Sequence, residues 1–144
     1  MFTTCEETHP IQQHIPAKHI DKCWVVPQSP NALTTVRQDV RGSLETCDVG
    51  ADAMDNTVLV VSELITNSVS YALPPVTLRV TVRGDGVVHI EVVDAGAASA
   101  VGDLDTRPAD ERGRGNLIVS MLADRSGRTV DEDKVTWWAD VPVD

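Results

Sequence analysis

Aromatic residues are scarce in this chain: Phe2, Trp24, Tyr71, Trp137 and Trp138 make up 3% of its 144 residues. Without clustered aromatic side chains it offers no stacking platform for single-stranded nucleic acid. Basic residues are few as well. Twelve Lys and Arg stand against 22 Asp and Glu, a formal net charge of −10, which argues against the broad basic face of a general nucleic-acid binder. No run approaches the roughly 18 apolar residues that cross a bilayer, so no membrane association is expected. The start, MFTTCEETHPIQQH, lacks the basic end and apolar stretch of a secretory signal.

Cysteine is limited to Cys5, Cys23 and Cys47, with no CxxC pair. An odd, widely spaced set makes a disulfide framework unexpected and a cytoplasmic location the default. His9, His14, His19 and His89 show no metal-ligand spacing with these cysteines, so zinc is unsupported. For Cys47 a buried apolar role at a helix end is favoured over reactivity. The chain has no nucleophile elbow of the G-x-S-x-G kind. It also has no GxxxxGK(S/T) loop, and Lys22 and Lys134 occupy no such context.

What is present is a core-sized supply of hydrophobic residues, 42% of the chain, enough for one domain and too little length for two. Residues 1–20 are polar, carry Pro10 and Pro16, and read as a flexible extension. Residues 21–144 read as a single domain. Cys23–Val26 is a short β-prone run. Ser29-Pro30 supplies an N-cap and a first-turn proline for a helix whose Leu33, Val36, Val40 and Leu44 form one buried stripe ending near Cys47. A second helix, from about Met54 to Ala72, is apolar over more than one stripe and is therefore central. It stops at Pro74-Pro75.

Val76–Arg83 alternates apolar and polar residues, Gly84-Asp85-Gly86 turns, and Val87–Val93 returns as a second strand, a strong hairpin signal. Ala95–Asp110 reads as a long loop. Asn116–Ala123 resumes helical spacing, Gly127 breaks the chain, and Thr129-Val130 pairs with Val135–Val141 around Asp131–Lys134. This order predicts an α+β two-layer sandwich, with about three helices on one face of a mainly antiparallel mixed sheet. The adjacent Trp137 and Trp138 must face opposite sides of their strand.

Three segments carry chemistry. In VSELITNSVSYA, Glu63 and Asn67 lie one turn apart on one face of the most apolar helix. The bland reading is a surface or capping pair. Their apolar flanks weaken it, because a buried polar group without a partner costs roughly 1–3 kcal/mol. Asn67 can offer its carbonyl oxygen to Mg²⁺, which prefers oxygen ligands and keeps several waters. Glu63 can orient or deprotonate a nearby water or hydroxyl.

In VVDAG, Asp94 ends an apolar strand. Its carboxylate either caps a turn or accepts a hydrogen bond from an exocyclic amine such as adenine N6, with Gly96 permitting close approach of the base. In ERGRGN, Gly113 and Gly115 precede a helix whose N–H groups can converge on phosphate. Arg112 and Arg114 add positive charge in an acidic protein. Asn116 follows directly.

Taken together, ELITNSVSYA resembles the N-box of the histidine-kinase-like ATPases of the Bergerat fold. VVDAG resembles the first glycine box of that superfamily, and ERGRGNLIVSMLADRSG its second. With the terminal KVTWWADVPV, the chain is similar to small anti-sigma-factor serine kinases and their stand-alone actinobacterial relatives over roughly Val25–Val143.

That resemblance implies ATP and Mg²⁺ as cofactors. Glu63 would be the general base, Asn67 the magnesium ligand and Asp94 the reader of adenine. Gly96 would form the base-side wall, and Gly113 and Gly115, with Arg112, Arg114 and Asn116 beside them, the phosphate-side loop. It implies transfer of the γ-phosphate to a serine of an anti-anti-sigma (STAS-type) partner and capture of a sigma factor, in a family where homodimers are common. In this chain Tyr71 stands where histidine is frequent. Ala97-Ala98 follow Asp94-Ala95-Gly96 in place of a second glycine, and Asn116 replaces an aliphatic residue. The rival reading keeps the fold but not the catalysis: a module that sequesters a partner with weak or no nucleotide binding.

Overall fold

The computed structural model describes residues 19–96 and 117–144. Strand β1 (Ile20–Val26) leads into helices α1 (Ala32–Leu44) and α2 (Ala51–Tyr71). Strands β2 (Val76–Val82) and β3 (Val87–Asp94) follow, then helical residues 117–122 (α3), then β4 (Arg125–Asp131) and β5 (Lys134–Pro142). The five strands form one sheet in the order β1-β2-β3-β5-β4, and each neighbouring pair runs antiparallel. The expected α+β sandwich, with its helices on one face of the sheet, is the architecture found.

Period-2 alternation builds the core. On β2, Val76, Leu78, Val80 and Val82 are buried, and on β3, Val88, Ile90 and Val92. Ala139 and Val141 continue this inner face on β5. Opposite them pack Val36, Val40 and Leu44 of α1 and Val60, Val61, Leu64 and Ile65 of α2. Arg37 Nε donates to Ser62 Oγ at 2.8 Å, and Arg41 pairs with Asp55 at 2.9 Å, fastening α1 to the side of α2.

The outer sheet face is built differently. Arg79 donates through Nε and a terminal nitrogen to the two carboxylate oxygens of Asp21, at 2.8 and 2.6 Å. This fork holds the Asp21 carboxyl below its ordinary range. The Arg79 hydrogen bond and charge, with Arg83 and Thr81 helping, outweigh the opposing effect of burial. On β3, His89 sits with Nδ1 against Asp140 and Nε2 3.1 Å from Glu91. Arg125 lies 5.9 Å from the Trp138 ring on this face, and Arg128 lies 5.2 Å from the Trp137 ring on the other. Trp137 packs against the core, so the two tryptophans divide between the faces as alternation requires.

Several sequence expectations need correction. Gly127 does not break the chain. It lies inside β4 opposite Trp138, and a Cβ there would sit 2.8 Å from the indole nitrogen; the glycine makes room for the ring. The strand therefore begins at Arg125 rather than Thr129. Helix α1 is capped by Asn31, without a side-chain bond, rather than by Ser29. The Ala32 N–H bonds to the Ser29 carbonyl at 3.2 Å, so Ser29 and Pro30 form a turn ahead of the helix. Cys23 is disulfide-bonded, a single bridge where no disulfide framework was expected. Cys47 is a free, half-buried thiol whose pKa is raised by that burial. No helix among the described residues is long and apolar enough to cross a membrane.

Candidate functional site

Asn67 and Glu63 lie on the C-terminal half of α2. Asn67 is 7% exposed and Glu63 is half-buried. The helix forms there because Val60, Val61, Leu64 and Ile65 bury against the sheet. It stops because Ala72 turns extended ahead of Pro74, a residue whose ring disfavours helical conformation in the residue before it. The same helix carries the buried hydroxyls of Thr57 and Ser68, which have no hydrogen-bond partner among the described residues.

Asp94 is the last residue of β3 and falls on the inner face, in line with Val88, Ile90 and Val92. It is 3% exposed. Its Oδ1 accepts the Gly96 N–H at 2.8 Å, so the turn-capping role anticipated for a strand-ending aspartate is real. That bond uses one oxygen. Oδ2 makes no hydrogen bond among the described residues.

The ends of α2 and β3 are clipped together. Just past α2, the Leu73 N–H donates to the Gly96 carbonyl at 2.8 Å, and the Ala95 N–H donates to the Leu73 carbonyl at 3.1 Å. This two-bond bridge joins the helix bearing Glu63 and Asn67 to the strand end bearing Asp94. Gly96 has φ +91°, and a Cβ there would lie 3.0 Å from the Asp133 carbonyl oxygen. Only glycine meets both demands easily. The sequence suggested Gly96 for the approach of a base; the structure places the Asp133 carbonyl of the β4–β5 turn where a side chain at this position would crowd it. Leu73 and Asp133 were missed altogether, since they act through backbone atoms that any residue could supply.

Arg112, Gly113, Arg114, Gly115 and Asn116 lie outside the described residues. Among the described residues no group of three or more His, Cys, Asp and Glu side chains could hold a metal. A cleft of about 130 Å³ opens between the end of β1, the start of α1 and α2, lined by Val26, Pro30, Leu33, Ile65 and Val69 among others. Glu63, Asn67 and Asp94 are absent from its walls, so it is a separate surface feature.

Among solved structures, the chain is similar to one containing the RsbU and RsbW domains of Rv1364c from Mycobacterium tuberculosis. The TM-score is 0.66 and the identity 16%, over 86% of this chain and 32% of that one. At that identity the likeness is one of fold, and this chain spans about a third of the length of the other. No curated protein matches. The pattern of the histidine kinase-like ATPase domain matches residues 26–137, from the end of β1 to the first of the paired tryptophans. With most of its length covered by that match, the chain belongs to the histidine kinase-like ATPase domain family.

Proposed function

We propose that this protein binds ATP with Mg²⁺ and acts as a regulatory serine kinase of the anti-sigma type. In this reading it transfers a phosphoryl group to an anti-anti-sigma partner and sequesters a sigma factor. The observation that carries the nucleotide reading is Asp94: a buried carboxylate with one oxygen tied to Gly96 and no hydrogen bond to the other among the described residues. Adenine presents a donor at N6 that such an oxygen recognises. The clip through Leu73 ties the end of the helix that carries Asn67 and Glu63 to the strand end that carries Asp94, which supports reading the three as one site.

ATP, when bound, supplies the phosphoryl group. Asn67 would hold the magnesium through its amide oxygen. Glu63 would take the proton from the partner's serine Oγ, leaving that oxygen nucleophilic. Half-burial suits the role, because the carboxylate must be both accessible to a partner and fixed on its helix. Positioning and electrostatics provide most of the catalysis in such transfers, and a small domain can supply both.

Glu63→Gln tests this most directly. Volume and hydrogen bonding are nearly kept, so ATP binding and partner binding should stay close to native. Loss of the base should slow phosphotransfer about 10²–10⁴-fold. An unchanged rate would show that Glu63 is not the base. A native protein that binds its partner but never phosphorylates it with Mg²⁺ and ATP would instead be a sequestering module.

A further inference from the structure

Glu132 and Asp133 form the two-residue turn between β4 and β5, with Asp131 paired to Lys134. Glu132 has φ 54°, the one non-glycine residue with positive φ among the described residues. A side chain in that region is disfavoured, and such strain persists only where the surroundings impose it. Closure of a two-residue hairpin in a I′ or II′ turn takes positive φ at this first turn position, and here a glutamate accepts it where Asn or Gly would do so more comfortably. The turn also lies close to Gly96: a Cβ built on that glycine would meet the Asp133 carbonyl oxygen at 3.0 Å.

Gly96 is the hub of the Asp94 turn. Its N–H is given to Asp94 Oδ1, and its carbonyl receives the Leu73 N–H. In the sheet, Asp94 pairs with Val135, two residues past Asp133. The turn thus reaches beyond the last rung of the β3–β5 ladder and stands against the residue that orients the Asp94 carboxylate.

We infer that the strained Glu132–Asp133 turn is a positioning element for Asp94, its Asp133 carbonyl buttressing Gly96 so that the Leu73 clip and the Asp94 carboxylate stay in register. The mechanical link stands on backbone contacts alone. Its consequence for nucleotide choice rests on the reading of Asp94 as the base acceptor.

The test replaces Glu132→Asn and Asp133→Gly together. Asn-Gly favours positive φ at both turn residues, whereas the native turn has it at Glu132 alone, so the hairpin is kept while the carbonyl turns away from Gly96. Amide hydrogen exchange in the nucleotide-free protein should quicken about tenfold at Leu73, which donates to the Gly96 carbonyl in the clip, and at Gly96, which donates to Asp94, with the β4–β5 ladder amides unchanged. Gly96→Ala, which forces the same two groups apart from the other side, should quicken the same pair.

Unchanged exchange at Leu73 and Gly96 in the turn variant would overturn the inference. So would equally faster exchange along β4 and β5, because that would show general loosening of the hairpin. A second readout is the ratio of ATP to GTP affinity, which should fall in the turn variant. If the native protein already shows no preference for ATP, the base-reading role of Asp94 fails, while the exchange experiment still decides whether the turn positions it.

Discussion

The two faces of this sheet hold the same strands in place by different physics. On the inner face, Leu78, Val80, Ile90 and Val92 are buried under α1 and α2, and stability there comes from apolar area removed from water. On the outer face, alternate residues of the same strands form cross-strand polar links: Asp21 with Arg79, and His89 with Asp140 and Glu91. The apolar residues of the inner face should be insensitive to pH and intolerant of changes in volume. The outer face should be the reverse. Asp94 is the exception to the comparison, a buried carboxylate at the end of the apolar face with one oxygen holding the Gly96 N–H.

The largest effect should come from the inner face. Leu78→Ala removes a fully buried side chain and should lower unfolding free energy by about 2–5 kcal/mol, measured by denaturant titration. A loss under about 1 kcal/mol would mean the sheet is held chiefly by its outer face, and the contrast between the faces would collapse.

Asp94→Asn probes the polar end of that face. An amide keeps an oxygen for the Gly96 N–H, so the fold and melting temperature should change little. It presents a donor in place of the second acceptor, and ATP binding should weaken by about 1.5–3 kcal/mol, the worth of a hydrogen bond to a charged group. Equal affinities of the native protein for ATP and GTP would sink the assignment of Asp94 to adenine.

On the outer face, Gly127→Ala would set a methyl group 2.8 Å from the Trp138 indole nitrogen. The ring must move, at a cost of about 1 kcal/mol, the low end for overpacking because the ring is only half-buried. Tryptophan fluorescence should shift with it. An unshifted spectrum and an unchanged stability would show that the ring does not depend on the bare backbone beneath it.

The elements most legible in the sequence were those whose own residues declare a buried face. Helix α2 announced itself through Val58, Leu59, Val61, Leu64, Ile65 and Val69, of which Leu59 and Val69 are exposed in the fold, and the β2–β3 hairpin through alternation around Gly84 and Gly86. Strand β4 was half hidden. Arg125–Asp131 has one large apolar residue, Val130, and a glycine, and it becomes a strand because β5 provides a ladder for it. The start of β1 was missed for the same reason: Ile20-Asp21-Lys22 is locally polar, and what makes it strand is pairing with β2. At the site, Glu63, Asn67 and Asp94 stood out because polar groups in apolar surroundings are conspicuous. Leu73 and Asp133 contribute a backbone N–H and carbonyls, which no side-chain pattern encodes.

The smallest effect concerns protons and separates the faces most cleanly. Burial of the His89 imidazole disfavours its charged form, but hydrogen bonds to Asp140 and Glu91, and the charges of both, outweigh it and raise the pKa above the ordinary 6.5. A raised folded-state pKa means that protonated His89 stabilises the fold fully below about pH 6.5, the unfolded value. The contribution is lost as pH climbs through the higher folded value. Asp21 works from the other side. Its lowered pKa stabilises the fold above the ordinary carboxylate value of 3.8, and that contribution disappears as pH falls through the folded value. Both groups are partly exposed, so solvent screening keeps the amplitudes small. Denaturation midpoints of the native protein should therefore decline modestly as pH rises from about 6.5 through the raised His89 value, and His89→Gln should flatten that decline. A decline of the same slope in His89→Gln would assign the alkaline sensitivity to another group and remove the outer face's claim to be the proton-sensitive one.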